Sequence, residues 1–153
     1  GPILNIVREA ASTLSSDHGV GSEVWSVTSY GELRRIGMQH EREKRLDPGK
    51  QSKPYVSECF GDATPTIATS DFISSVPEMI QKWVGGRFVV LGTDGFGRSD
   101  SREALRTFFE IDANSIVIAA LSALEQDGAL PSGTVEKEMK TKGVPSRRID
   151  KTE

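Results

Sequence analysis

The stretch FVVLGTDGFGRSDSREALRTFF, Phe88 to Phe109, decides the fold. Phe88, Val89, Val90 and Leu91 form a short apolar run without alternation, the pattern of a strand covered on both faces. Gly92, Gly95 and Gly97 then allow a tight turn with positive φ. Asp100 is placed to cap the helix that follows, and Glu103, three residues on, to complete a capping box. Strand, glycine-rich turn and helix in that order aim backbone N–H groups and a helix N-terminus at one place. In open α/β sheets the carboxyl ends of the strands are where sites are built.

Upstream, Ile3, Ile6, Val7, Ala10 and Leu14 recur at helical spacing and predict a helix with one apolar face, stopped by Gly19–Val20–Gly21. Two readings of its start stand open. Gly1 is the turn after a strand that is absent, or Gly1-Pro2 is the remnant of a tag. Ser22 to Ser29 alternates and is rich in β-formers, which predicts a strand. Tyr30 to about Arg45 reads as a helix with Leu33, Ile36 and His40 on its inner side. Glu41 and Arg45, four apart, suit a solvated face. Asp47 to Pro54 is a polar loop. Tyr55 to Phe60 fits a short helix or a strand. Thr66 to Thr69 reads as a strand.

Ser75 reads as the cap of a helix with Pro77 in its first turn and Glu78 as capping-box partner. Met79, Ile80 and Trp83 face inward on it, and Gly85-Gly86 ends it. Beyond Phe109, the segment Asp112–Ser115 caps another helix with an apolar stripe of Ile116, Ala119, Ala120 and Leu124, closed by Gly128. Thr134 to Lys142 reads as a last, charged helix. The domain is expected over residues 1–143, with 144–153 a flexible tail. Helices alternating with three strands predict an α/β fold of three layers, αβα, with a mostly parallel sheet. Three strands make a thin sheet, and an absent first strand accounts for it.

Composition narrows the function. At 153 residues, with 36% apolar and 27% charged side chains, the chain suits a single globular domain with polar loops. A net charge of −3 without a basic, aromatic-interleaved stripe argues against nucleic acid as a partner. No apolar run approaches the roughly 20 residues of a membrane span, so no membrane is expected as a partner. One cysteine, Cys59, forms no internal disulfide and suits a reducing compartment, here the cytoplasm.

Gly92–Glu103, GTDGFGRSDSRE, resembles the signature of the C-terminal domain of the homodimeric pyruvate dehydrogenase first component, within the transketolase family. Phe96, Gly97, Arg98 and Ser99 match that family's shorter Phe-Gly-x-Ser pattern. Val20–Gly21–Ser22, Trp25–Ser29, Glu32-Leu33, Glu41-Arg42, Pro54-Tyr55, Ala68–Asp71 and Asp112-Ala113 match in order. The resemblance covers the chain up to about Gly128. It implies the last domain of a larger thiamine-diphosphate-dependent enzyme that decarboxylates pyruvate and acetylates the lipoyl arm of the acetyltransferase component. Thiamine diphosphate and magnesium would be held by upstream domains, with none expected in this chain. Implied partners are the rest of the parent chain, a homodimer partner and the dihydrolipoyl acetyltransferase. A strand precedes the first helix in such proteins, and it is missing here.

No catalytic, cofactor-binding or metal-binding residue is assigned. The candidate interface or anion loop is Gly92, Asp94, Gly95, Phe96, Gly97, Arg98, Ser99, Asp100 and Arg102. Its N–H groups and helix dipole suit phosphate or carboxylate, but its spacing is neither GxGxxG nor a P-loop. A structural turn or a domain contact is the plainer reading. Asp94, Arg98, Asp100 and Arg102 could order the loop as an ion-pair network, with Arg98 facing outward. His18 and His40 lack metal-ligand spacing and read as surface or helix-end residues. Cys59 has no base beside it and reads as a small buried thiol. Trp25 and Trp83 read as core or interface. Three functional readings follow: a domain supporting assembly of the parent enzyme, a docking module for the acetyltransferase, and a small-anion regulatory site.

Overall fold

The computed structural model describes residues 1–95 and 100–145. Its helices are α1 (Pro2–His18), α2 (Tyr30–Leu46), α3 (Tyr55–Phe60), α4 (Ser75–Glu78), α5 (Arg102–Phe108), α6 (Ala113–Gln126) and α7 (Thr134–Lys142). Two strands, β1 (Thr66–Thr69) and β2 (Phe88–Leu91), pair in parallel with Thr66 opposite Phe88 and Thr69 opposite Leu91. Alternate residues of a strand point to opposite faces. Ile67 and Leu91 pack on one face against Ala10 and Leu14 of α1 and Ile116, Val117 and Leu121 of α6. Phe88 packs on the other face against Val56, Ile80 and Trp83. The small sheet is therefore covered on both sides, as the lack of alternation in Phe88–Leu91 requires.

Local signals set most element ends. Gly19 takes φ 64 after α1 and its N–H closes the helix on Ser15 O. Ser29 Oγ accepts from Glu32 N at 3.1 Å and starts α2. Asp112 Oδ1 accepts from Ser115 N at 2.9 Å and starts α6. Tyr55–Phe60 resolves as helix.

Several expectations are corrected. Ser22–Ser29 is not a strand: among the described residues, 21–28 takes part in no backbone–backbone hydrogen bond, because the neighbour that would pair with it is a cavity. Among the described residues the sheet thus has two strands, not three. Ser101, not Asp100, is the N-cap of α5 and accepts from Ala104 N at 3.2 Å, while Asp100 Oδ1 accepts from Ser101 N. The helix expected from Ser75 is a single turn with no side-chain cap, followed by a 3-10 turn over Gln81–Trp83. That break turns Met79 outward, 41% exposed, while Ile80 and Trp83 stay buried. In α6 the buried positions are Ile116, Val117, Leu121 and Ala123, because the helix is covered by α1, α7 and the sheet rather than along one stripe.

An 18-residue window within Arg102–Gln126 reaches a mean hydropathy of 1.4. The backbone breaks there at Glu110, φ 59, into α5 and α6, and the apolar side chains of α6 supply the core of the domain.

Candidate functional site

The two loops leaving the carboxyl ends of β1 and β2 meet. Gly92 follows β2 so closely under the other loop that a Cβ on it would lie 2.7 Å from Ser74 N and 2.8 Å from Phe72 O. Thr93 N donates to Phe72 O at 3.0 Å, and Thr93 Oγ1 donates to Asp71 O at 2.8 Å. Asp94 then takes both hydrogen bonds offered by Ser74: N at 2.9 Å onto Oδ1 and Oγ at 2.6 Å onto Oδ2. Ser70 Oγ closes the first loop on itself by accepting from Phe72 N at 3.0 Å. Phe72 and Ile73 are left on the outer surface of this clasp, 68% and 54% exposed.

Of the nine residues singled out in the sequence, Gly92 and Asp94 belong to the clasp. Gly95 takes φ 103 just beyond it. Asp100 and Arg102 flank the start of α5. Phe96, Gly97, Arg98 and Ser99 lie outside the described residues. Sequence reading missed Ser74, Thr93 and Asp71. Asp71 closes the matched stretch Ala68–Asp71, and all three are small polar residues in the loops that follow β1 and β2, which parallel pairing brings side by side.

A second feature lies along the free edge of β1. A cavity of about 1010 Å³ runs between β1, the 21–31 segment, the start of α1 and the inner face of α6. Ile67, Ala68, Val24, Leu4, Ala120 and Leu124 supply apolar wall. Thr69 Oγ1 is buried and, among the described residues, has no hydrogen-bond partner. Trp25 is 49% exposed and stands edge-on to Phe60 with ring centroids 5.2 Å apart.

The remaining polar candidates are held within the fold. His18 Nε2 lies 3.0 Å from Glu138 Oε2, and His40 Nε2 lies 2.6 Å from Ser52 O. Glu41 is not a free solvated residue: it accepts from Trp83 Nε1 at 3.1 Å and pairs with Lys82 Nζ at 3.2 Å. The Trp83 and Lys82 hydrogen bonds hold its carboxyl below the usual range. Cys59 is half-buried, and its hydrogen bond with Tyr55 raises that hydroxyl above its ordinary value. Among the described residues no group of three or more His, Cys, Asp or Glu side chains could hold a metal ion.

Residues 1–112, from α1 to the cap of α6, match the transketolase-like TK C-terminal domain. The chain belongs to that family. The transketolase-like C-terminal domain described here is also similar to proteins named pyruvate dehydrogenase E1 component. The Pseudomonas aeruginosa relative is 47% identical over 152 residues, 97% of this chain and 17% of the relative. The Escherichia coli K12 relative is 46% identical over 137 residues, 88% of this chain and 15% of the relative. The Mycolicibacterium smegmatis relative is 47% identical over 123 residues, 79% and 13% respectively. The first of these matches runs past Gly128, beyond the reach of the resemblance read from motifs. This transketolase-like domain spans less than a fifth of the length of the relatives it matches.

Proposed function

We propose that this chain is the C-terminal domain of a pyruvate dehydrogenase E1 component and serves its assembly rather than its bond-breaking. The observation that carries the reading is the 46–47% identity to E1 components over most of this chain. The whole enzyme would decarboxylate pyruvate on thiamine diphosphate and pass the acetyl group to the lipoyl arm of the acetyltransferase, in the cytoplasm and as a homodimer. The thiamine diphosphate and magnesium would sit in the rest of the parent chain. The clasp supports this division of labour, because Asp94, Ser74 and Thr93 hold two loops to each other. Calorimetric titration of the purified chain with thiamine diphosphate and magnesium tests it. No binding is expected, and tight binding would overturn it.

A second reading has an observation of its own. Phe72 and Ile73 present an exposed apolar tip on the loop that follows β1, which suits a contact with another domain or subunit. As a docking module, the chain would retain the acetyltransferase's small subunit-binding domain in a pull-down at micromolar concentration. No retention would remove this reading.

A further inference from the structure

We infer that the exposed arginine stripe of α2 is a docking surface for an acidic α-helix of a separate partner protein, held reversibly by charge. This surface is distinct from the Phe72–Ile73 tip, and it stands whether or not the reading of the parent enzyme holds.

Three observations converge on it. The first is placement. Arg34, Met38, Arg42 and Arg45 follow one another at i, i+4, i+8 and i+11 of α2. That spacing sets them within about 80° of one another around the helix axis and along about 16 Å of its length. All four are exposed, Met38 by 44%. Leu46, 69% exposed, extends the stripe at the end of the helix. The second is pairing. The acidic side chains of α2 are engaged elsewhere: Glu32 by Arg35, Glu41 by Trp83 and Lys82, and Glu43 by Lys50 and Gln39. Among the described residues, Arg34, Arg42 and Arg45 have no ion pair and no side-chain hydrogen bond. The third is cost. Arg42 and Arg45 are like charges one turn apart, an arrangement that weakens a helix. The helix dipole favours Arg45 in the last turn but gives no reason for Arg34 and Arg42. Solubility does not account for the stripe either, since interspersed signs serve it and this chain is acidic as a whole, with a net charge of −3.

The chemistry of the partner follows. Carboxylates three and four apart on its helix would meet the guanidinium groups, which bind carboxylates in two-pronged fashion. Aliphatic side chains between them would meet Met38 and Leu46. Arginine and methionine are both enriched at interfaces. The face is set in advance, because Glu41 ties α2 to Trp83 and Glu43 ties it to Lys50, so little ordering is needed on binding. Two apolar residues among three charges suit a reversible contact rather than a permanent, hydrophobic one. A nucleic acid is disfavoured, since the stripe carries no aromatic side chain for a base to stack on. A second copy is disfavoured too: among the described residues no helix of this chain carries two acidic residues three or four apart.

The test is fluorescence anisotropy of a labelled, alanine-based helical peptide, with glutamates at i, i+4 and i+7 and leucines beside them, as the purified chain is added at low salt. Saturable binding is expected, and its loss at about 1 M salt, where charges are screened beyond roughly 3 Å. Arg34→Gln, Arg42→Gln and Arg45→Gln together should weaken binding by about tenfold or more. The same loss of charge at three other exposed positions, Arg8→Gln, Arg102→Gln and Lys137→Gln, should change it by less than about twofold. The stripe variant should melt no lower than the natural chain, because no pair is lost. Absence of binding overturns the inference, as do equal losses in the two triple variants. So does equal binding of a peptide with glutamine in place of each glutamate. A single-stranded oligonucleotide bound as tightly as the peptide would assign the stripe to phosphate backbones and overturn it. Self-association of the natural chain that the stripe variant loses would assign it to a second copy. A lower melting temperature of the stripe variant would assign the arginines to the fold.

Discussion

Gly37 of α2 lies flat against the indole of Trp83, so close that a Cβ on it would stand 2.6 Å from Cε2 and Cζ2 of that ring. The approach lets α2 close over the buried tryptophan. It also brings Glu41, one turn further along, to the indole N–H. Trp83 sits in the cluster that covers the Phe88 face of the sheet, so this contact joins the second helix to the strand that carries the clasp.

Gly37→Ala therefore overpacks a site that has no room to give. The substitution should cost about 1–3 kcal/mol, although alanine favours a helix more than glycine does. Urea denaturation at neutral pH measures it. Trp83→Phe, which removes the six-membered ring of the indole, should be less harmful in the Gly37→Ala background than alone. Equal losses in both backgrounds would mean that the helix relieves the clash by shifting.

Glu41 gives that joint a pH dependence. Its carboxyl is held below the usual range first by the Trp83 hydrogen bond and then by Lys82. A carboxylate with a depressed folded value contributes stability that is present above its unfolded value, about 4.3. That contribution is lost as pH falls through the folded value. The stability of the natural chain should accordingly fall between about pH 5 and the depressed folded value more steeply than that of Glu41→Gln. Parallel curves of midpoint against pH would exclude Glu41 as the cause.

How much of this was legible depends on how local each signal is. The limits of α1, α2 and α6 follow from Gly19, Ser29 and Asp112, whose roles involve neighbours within four residues. Asp100 and Ser101 are both good caps, and the backbone decides between them: Ser101 takes φ −62, ψ 153 directly before the first helical residue and accepts from Ala104 N. The β-forming residues of Ser22–Ser29 predict a strand that the structure does not contain: a strand exists only with a partner, and no propensity encodes that. The clasp was half visible. Gly92 and Asp94 stand out as a glycine and an acid after a buried strand. Their partner Ser74 lies 20 residues away and is reached only through the β1–β2 register.

The clasp should be sensitive at both ends. Asp94→Ala removes the acceptor for Ser74 N and Ser74 Oγ, and Ser74→Ala removes only the hydroxyl. The first should cost about 1 kcal/mol and the second less, in keeping with exposed hydrogen bonds. Gly92→Ala should cost more than either, because its Cβ meets the backbone of Phe72 and Ser74 rather than a movable side chain. Thermal unfolding of the three variants orders them. A Gly92→Ala variant as stable as the natural chain would show that the loops part without consequence.

Glu138 of α7 is buried, 6% exposed, with its Oε2 beside His18 Nε2 at the end of α1. Among the described residues, its Oε1 and the neighbouring His18 Nε2 are both buried without a hydrogen-bond partner. Lys142 and Asp17 add a looser tie between the same helices at 3.7 Å. A buried carboxyl group whose neighbour His18 Nε2 lies at 3.0 Å without making a hydrogen bond is costly to desolvate, and apolar side chains of similar volume often replace such groups without loss. Glu138→Leu should therefore leave stability nearly unchanged or raise it. His18→Ala, which keeps the carboxylate and removes its partner, should cost about 1–3 kcal/mol. In the Glu138→Leu background the same His18→Ala change should cost much less, because no carboxylate is then left unpaired. Chemical denaturation of the four proteins closes the double-mutant cycle. Additive losses would mean that α7 is held by its packing on α6, with the His18 contact contributing nothing of its own.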